Sequence, residues 1–307
     1  MNRFPNGARV CFIGDSLVAR NQQMPMLIEY YNRNFPNSDI RFFNCGVSGG
    51  TAKYANESFE DDTMLCKPTH AVVAFGVNDS GRTRLEKPRG EERYAFFLER
   101  FERYKKNLTE LCEKIVSRGI ELILCTPAPY DEYSQKPIPA LRGGYALIAE
   151  YAHFVRTLAK EKGYALVDYH EYLSRMLQDE NEAESIFSED RVHPTAHGFY
   201  HMVKCFLEAL GLGAPIEQDP PAYFGEWRDK LFIFRSIHAT ECMIIGKYDL
   251  PPEEQRAIVE EYLAQKKWST PYFETIAKRY LEFKPRQVEL AEEIFAIYDR
   301  DILNYCE

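Results

Sequence analysis

Short apolar runs alternating with segments of helical spacing constrain this chain more than any other feature. The first run contains Val10, Phe12 and Ile13, and Ile40–Asn44, Ala71–Phe75, Ile120–Cys125 and Tyr164–Val167 follow. Each is short and rich in β-branched or aromatic residues, as buried strands are. Helices are expected over Leu17–Tyr30, Glu91–Arg118, Tyr145–Lys162, Tyr169–Gln178 and Thr195–Leu210. In the longest of these, Phe97, Phe101, Tyr104, Leu108, Leu111 and Ile115 recur near helical spacing, and Gly119 ends the pattern. A β-α-β-α order calls for a parallel sheet, and right-handed crossovers place helices on both of its faces. The expected class is α/β.

Composition shifts near Gly211–Pro215, which divides a unit of residues 1–213 from an extension of residues 214–307. The extension reads as all-helical. Pro251-Pro252 and Ser269-Thr270-Pro271 mark two helix starts, the second with a hydroxyl cap. Trp227, Trp268 and many Tyr and Phe residues lie here. Such helices pack on something, either the larger unit, as a lid over it, or a second copy in a homo-oligomer.

The balance of charge limits the partners. A net charge of -9 argues against nucleic acid, which wants a basic face. No segment approaches the ~18 apolar residues of a membrane helix. The start, Met1-Asn-Arg-Phe-Pro-Asn-Gly7, does not read as a secretory signal. Eight cysteines are scattered without a C-x-x-C pair, mostly in apolar runs, where thiols act as small hydrophobes. A cytoplasmic protein with reduced cysteines is the expectation.

Three strand ends offer chemistry to one rim. Ser16 follows the first run in Gly14-Asp15-Ser16, a glycine loop Gly46–Gly50 follows the second, and Gly76-Val77-Asn78-Asp79 follows the third. Open α/β sheets bind ligands at this carboxyl edge. A serine at a strand-to-helix junction offers a hydroxyl, and its N–H lies where a helix favours an anion. Glycine N–H groups approach a ligand closely, and an Asn amide adds a fixed donor. Each block alone also reads as an ordinary cap or turn. A serine needs an imidazole to take its proton, and the imidazole needs an acceptor on its other nitrogen. Asp190 and His193, three apart, meet both needs, with Pro194 opening the next helix. His193, His197 and His201 are also spaced for a metal on one helix face, but Pro194 places His193 off that helix.

Taken in order, Gly14-Asp-Ser16, Gly46-Val-Ser-Gly49-Gly50-Thr51, Gly76-Val-Asn78-Asp79 and Asp190-Arg-Val-His193-Pro194 resemble the four blocks of the SGNH (GDSL-type) hydrolases. The resemblance spans about residues 8–211. It implies a flavodoxin-like three-layer α/β/α fold and ester hydrolysis without a metal or other cofactor. It also implies Ser16 as nucleophile, His193 as base and Asp190 as its orienter. Ser16, Gly49 and Asn78 would then hold the oxyanion, with Gly46 as the other glycine to weigh. An acetyl or short-chain ester, on a carbohydrate for instance, is the expected substrate. An acyltransferase with the same acyl-enzyme and an idle ligand-binding module of the same fold are the alternatives. The Pro-rich loop 126–142 and the cations Arg82, Arg84, Lys87, Arg89 and Arg93 are expected to border the site; a solvated charged loop is the ordinary reading of that cluster, and recognition of an anionic substrate is its alternative.

Overall fold

The computed structural model describes residues 2–179, 186–215, 225–247, 250–266 and 268–302. Every predicted strand forms: β1 (Arg9–Gly14), β2 (Arg41–Gly46), β3 (His70–Ala74), β4 (Glu121–Cys125) and β5 (Ala165–Val167). All pair in parallel in the order β2-β1-β3-β4-β5. This is the flavodoxin-like order, whose switch point lies between β1 and β3.

Alternation along the strands sorts the core into two layers. Val10, Phe12, Phe42, Val72 and Ile123 meet helices α2 (Gln23–Asn34), α6 (Tyr169–Gln178) and α7 (Ala196–Ala209) on one face. Cys11, Ile13, Phe43, Val73 and Leu124 meet α3 (Ala52–Ser58), α4 (Glu91–Ser117) and α5 (Gly144–Lys162) on the other. The sulfurs of Cys11, Cys45 and Cys66 lie within 4.8 Å of one another, buried by the second face. The seven described cysteines are unbridged, and Cys306 lies outside the described residues.

Two helices differ from expectation. The segment after β1 breaks into α1 (Ser16–Ala19) and α2, with Asn21 left-handed at φ 56° between them. Pro25 explains the break, because its ring would clash with the carbonyl four residues earlier in a continuous helix. Helix α3 was not apparent in the sequence; Thr51 starts it by accepting the Tyr54 N–H at 3.2 Å.

The described part of the extension is helical: α8 (Gly225–Thr240), α9 (Pro252–Gln265), α10 (Pro271–Phe283) and α11 (Gln287–Ile297), with short helical turns. Thr270 precedes α10, but its hydroxyl makes no capping bond, and Pro271 alone sets that start. These helices dock on the sheet's β2 edge. The Phe42 N–H donates to the Tyr298 hydroxyl at 3.1 Å, and the Phe43 ring meets Phe295 edge-on at 5.4 Å. A strand edge otherwise left open is thereby covered. Arg235 of α8 grips Asp62 with two bonds of 3.0 and 2.6 Å, both side chains about 95 % buried (5 % and 4 % exposed). Burial alone would raise the Asp62 carboxyl, yet Arg235 and His238 hold it below its ordinary value.

Candidate active site

The strand ends do converge. At the end of β1 the Asp15 carboxylate accepts the Leu17 N–H at 2.9 Å and so caps α1. Asp15 takes the capping role, and Ser16 stands free of it in the first turn. Burial pushes the Asp15 carboxyl up to about 6, against the pull of the Leu17 N–H, His193 and Arg82.

Ser16 Oγ lies 2.8 Å from His193 Nε2, a residue 177 positions away. The other ring nitrogen, Nδ1, lies 2.5 Å from Asp190 Oδ2. Asp190 Oδ1 accepts from Ser188 Oγ, the Val192 N–H and the His193 N–H at 2.9, 3.0 and 2.9 Å. Partial burial works to raise this carboxyl, but the bonds from His193 and Val192 outweigh it and hold it well below the usual range. A carboxylate fixed in this way orients the ring and keeps Nε2 toward the hydroxyl.

The loop that carries His193 has local supports of two kinds. Thr195 caps α7 by accepting the Gly198 N–H at 3.1 Å, while Pro194 pairs with Phe187 in an isolated bridge rather than opening the helix. Arg191, left-handed at φ 65°, is buried and donates to the carbonyls of Asp131, Ser134 and Ile138 at 3.1, 3.0 and 2.6 Å. The Pro-rich loop therefore braces the His193 loop from behind. His197 and His201 sit together on α7, Nε2 to Nε2 at 3.2 Å, and His193 precedes that helix.

Gly49, Asn78, Ser16 and His193 line one cleft of ≈ 760 Å³. Gly49 is left-handed at φ +77°, which glycine adopts without strain, and a Cβ there would press on Met243 Cγ at 2.8 Å. Gly46, by contrast, is packed against α1, where a Cβ would lie 2.4 Å from the Ala19 nitrogen. Asn78 Nδ2 donates to the Gly50 carbonyl at 3.1 Å, tying the two loops together. Asp79 joins them again by accepting the Ala52 N–H at 3.0 Å. Burial, and secondarily the Asp15 charge, drives its carboxyl up to about 7, against the Ala52 bond.

Sequence reasoning missed several contributors. Arg100 of α4 donates to the Asn78 and Asp79 carbonyls, both at 2.7 Å, and fixes the turn that presents the amide. Arg191, between Asp190 and His193 in sequence, is another, through its bonds to the Pro-rich loop. The extension supplies the facing wall through Arg228, Asp229, Leu231, Phe232, Arg235, Met243 and Tyr272. None of the five predicted cations lines the cleft among the described residues. Arg93 instead donates to the Leu85 and Lys87 carbonyls, and Arg84 lies over the Phe96 ring. Arg82 donates to the Val77 carbonyl at 3.3 Å and lies within the electrostatic reach of Asp15 and Asp190.

Known proteins are similar to this chain in sequence and in fold. Residues 12–199 match the GDSL-like Lipase/Acylhydrolase family. The chain belongs to that family. It is accordingly a carboxylic ester hydrolase. An acetylxylan esterase of Geobacillus stearothermophilus is 25% identical over 221 residues, covering 67% of this acylhydrolase and 95% of the relative. Its crystal structure superposes with a TM-score of 0.54 at 22% identity, over 68% of this chain and 96% of that one. A gut microbial diltiazem-metabolizing enzyme matches 100% of the acylhydrolase and 96% of its own chain, with a TM-score of 0.80 at 16% identity. The acetylxylan esterase matches two thirds of the chain, and the diltiazem-metabolizing enzyme matches all of it, the extension included. No helix among the described residues is long and apolar enough to cross a membrane.

Proposed function

We propose that this hydrolase cleaves acetyl or other short-chain esters, with a carbohydrate among the alcohols it accepts, through an acyl-enzyme on Ser16. The observation that carries the reading is the unbroken chain from Ser16 Oγ through His193 to Asp190, at 2.8 and 2.5 Å. His193 Nε2 takes the hydroxyl proton as Oγ attacks the ester carbonyl. The developing oxyanion is held by the N–H groups of Ser16 and Gly49 and by the Asn78 amide. His193 then protonates the leaving alcohol, and water repeats the sequence to free the acid.

Residues 1–213 form the catalytic unit in this reading, and residues 214–307 shape the cleft rather than supply its chemistry. The unbridged cysteines support a reducing compartment, the cytoplasm. The acetyl preference draws on the relative named as an acetylxylan esterase. Turnover of p-nitrophenyl acetate and of acetylated xylo-oligosaccharides tests the reading beside a Ser16→Ala variant. The variant should lose about 10⁶-fold in kcat with its thermal melt unchanged. Parental turnover by a folded alanine variant would remove Ser16 from the mechanism.

A further inference from the structure

Two exposed arginines from different parts of the chain line the same cleft as the proposed nucleophile. Arg20 follows α1 on the strand-end wall, and Arg228 lies on α8 of the extension; both line the cleft with Ser16. Neither is ion-paired with a carboxylate among the described residues, whereas Arg235 in the same cleft is locked to Asp62. Asp229, the carboxylate on that wall, lies in the field of Arg279, whose guanidinium covers the Phe232 ring at 4.4 Å. Two uncommitted guanidiniums thus stand in a concave site on a chain of net charge -9. Low-dielectric walls concentrate such a field and draw an anion inward. Phe232 and Met243, 48% and 37% exposed, add apolar surface beside them.

We propose that the cleft selects esters whose alcohol part carries a carboxylate, bound by Arg20 and Arg228. The proposal rests on Ser16 esterase chemistry. An acetyl group has no charge to offer, so the anion must belong to the alcohol. A guanidinium fork matches a carboxylate with two parallel bonds, and a flat ring between carboxylate and ester can rest on Phe232 and Met243.

The test compares 4-acetoxybenzoate with 4-acetoxybenzamide, which share the acetyl group and ring but differ in charge. The ratio of their kcat/KM values is measured for the parent, Arg20→Ala, Arg228→Ala and the double variant. Each single substitution should lower the anionic-to-neutral ratio by about tenfold or more, and the double variant should lower it further. Added salt should lower the parent's ratio as well, since screening weakens the attraction. A ratio that stays within about twofold across all four proteins would overturn the proposal while leaving the esterase reading intact. If the parent hydrolyses neither ester and Ser16→Ala matches it on every acetyl ester tried, the esterase reading itself fails and takes the proposal with it.

Discussion

One wall of the cleft is made of strand ends, and the other is made of helix sides. The first brings Ser16, Gly49 and Asn78 to the carboxyl edge of the sheet, where backbone pairing sets their positions. The second brings Phe232, Met243 and Tyr272, held there by contacts with a body far away in sequence. Val47, in the loop of Gly49, packs with Ala239 and Ile276 of the extension, and Tyr54 donates to Glu241 at 3.2 Å. The difference separates two jobs. In the proposed mechanism the strand-end wall carries the groups that must be aligned for bond-making, and the helical wall shapes the opposite side of the cleft.

The largest test of that division is Asp190→Asn. It leaves the loop's shape in place but favours the wrong imidazole tautomer, so kcat should fall about 10⁴-fold with little change in stability. Steady-state kinetics beside a thermal melt measures both quantities. Turnover near the parental rate would mean that the carboxylate does not govern the ring.

Arg235→Ala probes the opposite wall. It strands a buried Asp62 carboxylate, and stability should drop by about 3 kcal/mol, read by urea denaturation. If the helical wall only shapes the site, the folded variant should lose less than about 10²-fold on p-nitrophenyl acetate. A folded variant with no turnover would erase the distinction between the walls.

Asp79→Asn addresses the link between the strand-end loops and has the smallest effect. The native state raises this carboxyl to about 7, so it holds a proton that the unfolded chain releases at lower pH. That stability is complete below the unfolded carboxylate range and is lost as pH rises through about 7. Between pH 5 and 8 the parent should lose about 2 kcal/mol that the Asn variant keeps. Asp15, raised to about 6, adds a slope of the same sign. Asp190 contributes in the other direction, losing its share only as pH falls through its lowered range, outside this window. Parallel melting profiles for parent and variant would show that Asp79 is ionised throughout.

Much of the strand-end wall was legible in one dimension because its logic is local. An apolar run must become a strand, a glycine or small polar block must end it, and parallel pairing must bring those ends to one edge. Asp190 and His193 were legible for a similar reason, since three residues of loop bring a carboxylate to an imidazole without help from elsewhere. Arg100 and Arg191 were not, because their guanidiniums reach carbonyls 21 and 22, or 53 to 60, residues away. Nothing in their neighbouring residues marks those carbonyls as partners.

By itself the amino-acid order determined the five strands, their parallel sense and which residues meet at the cleft that we propose performs acyl transfer. These follow from hydrophobic period and short-range turn chemistry, which act over a few residues. Only the tertiary structure decided that the helical extension covers the β2 edge and completes the cleft. That outcome depends on Arg235 meeting Asp62 and Tyr298 meeting Phe42 across 173 and 256 residues. Contacts of that range come from shape and charge matched in three dimensions, and no local pattern encodes them.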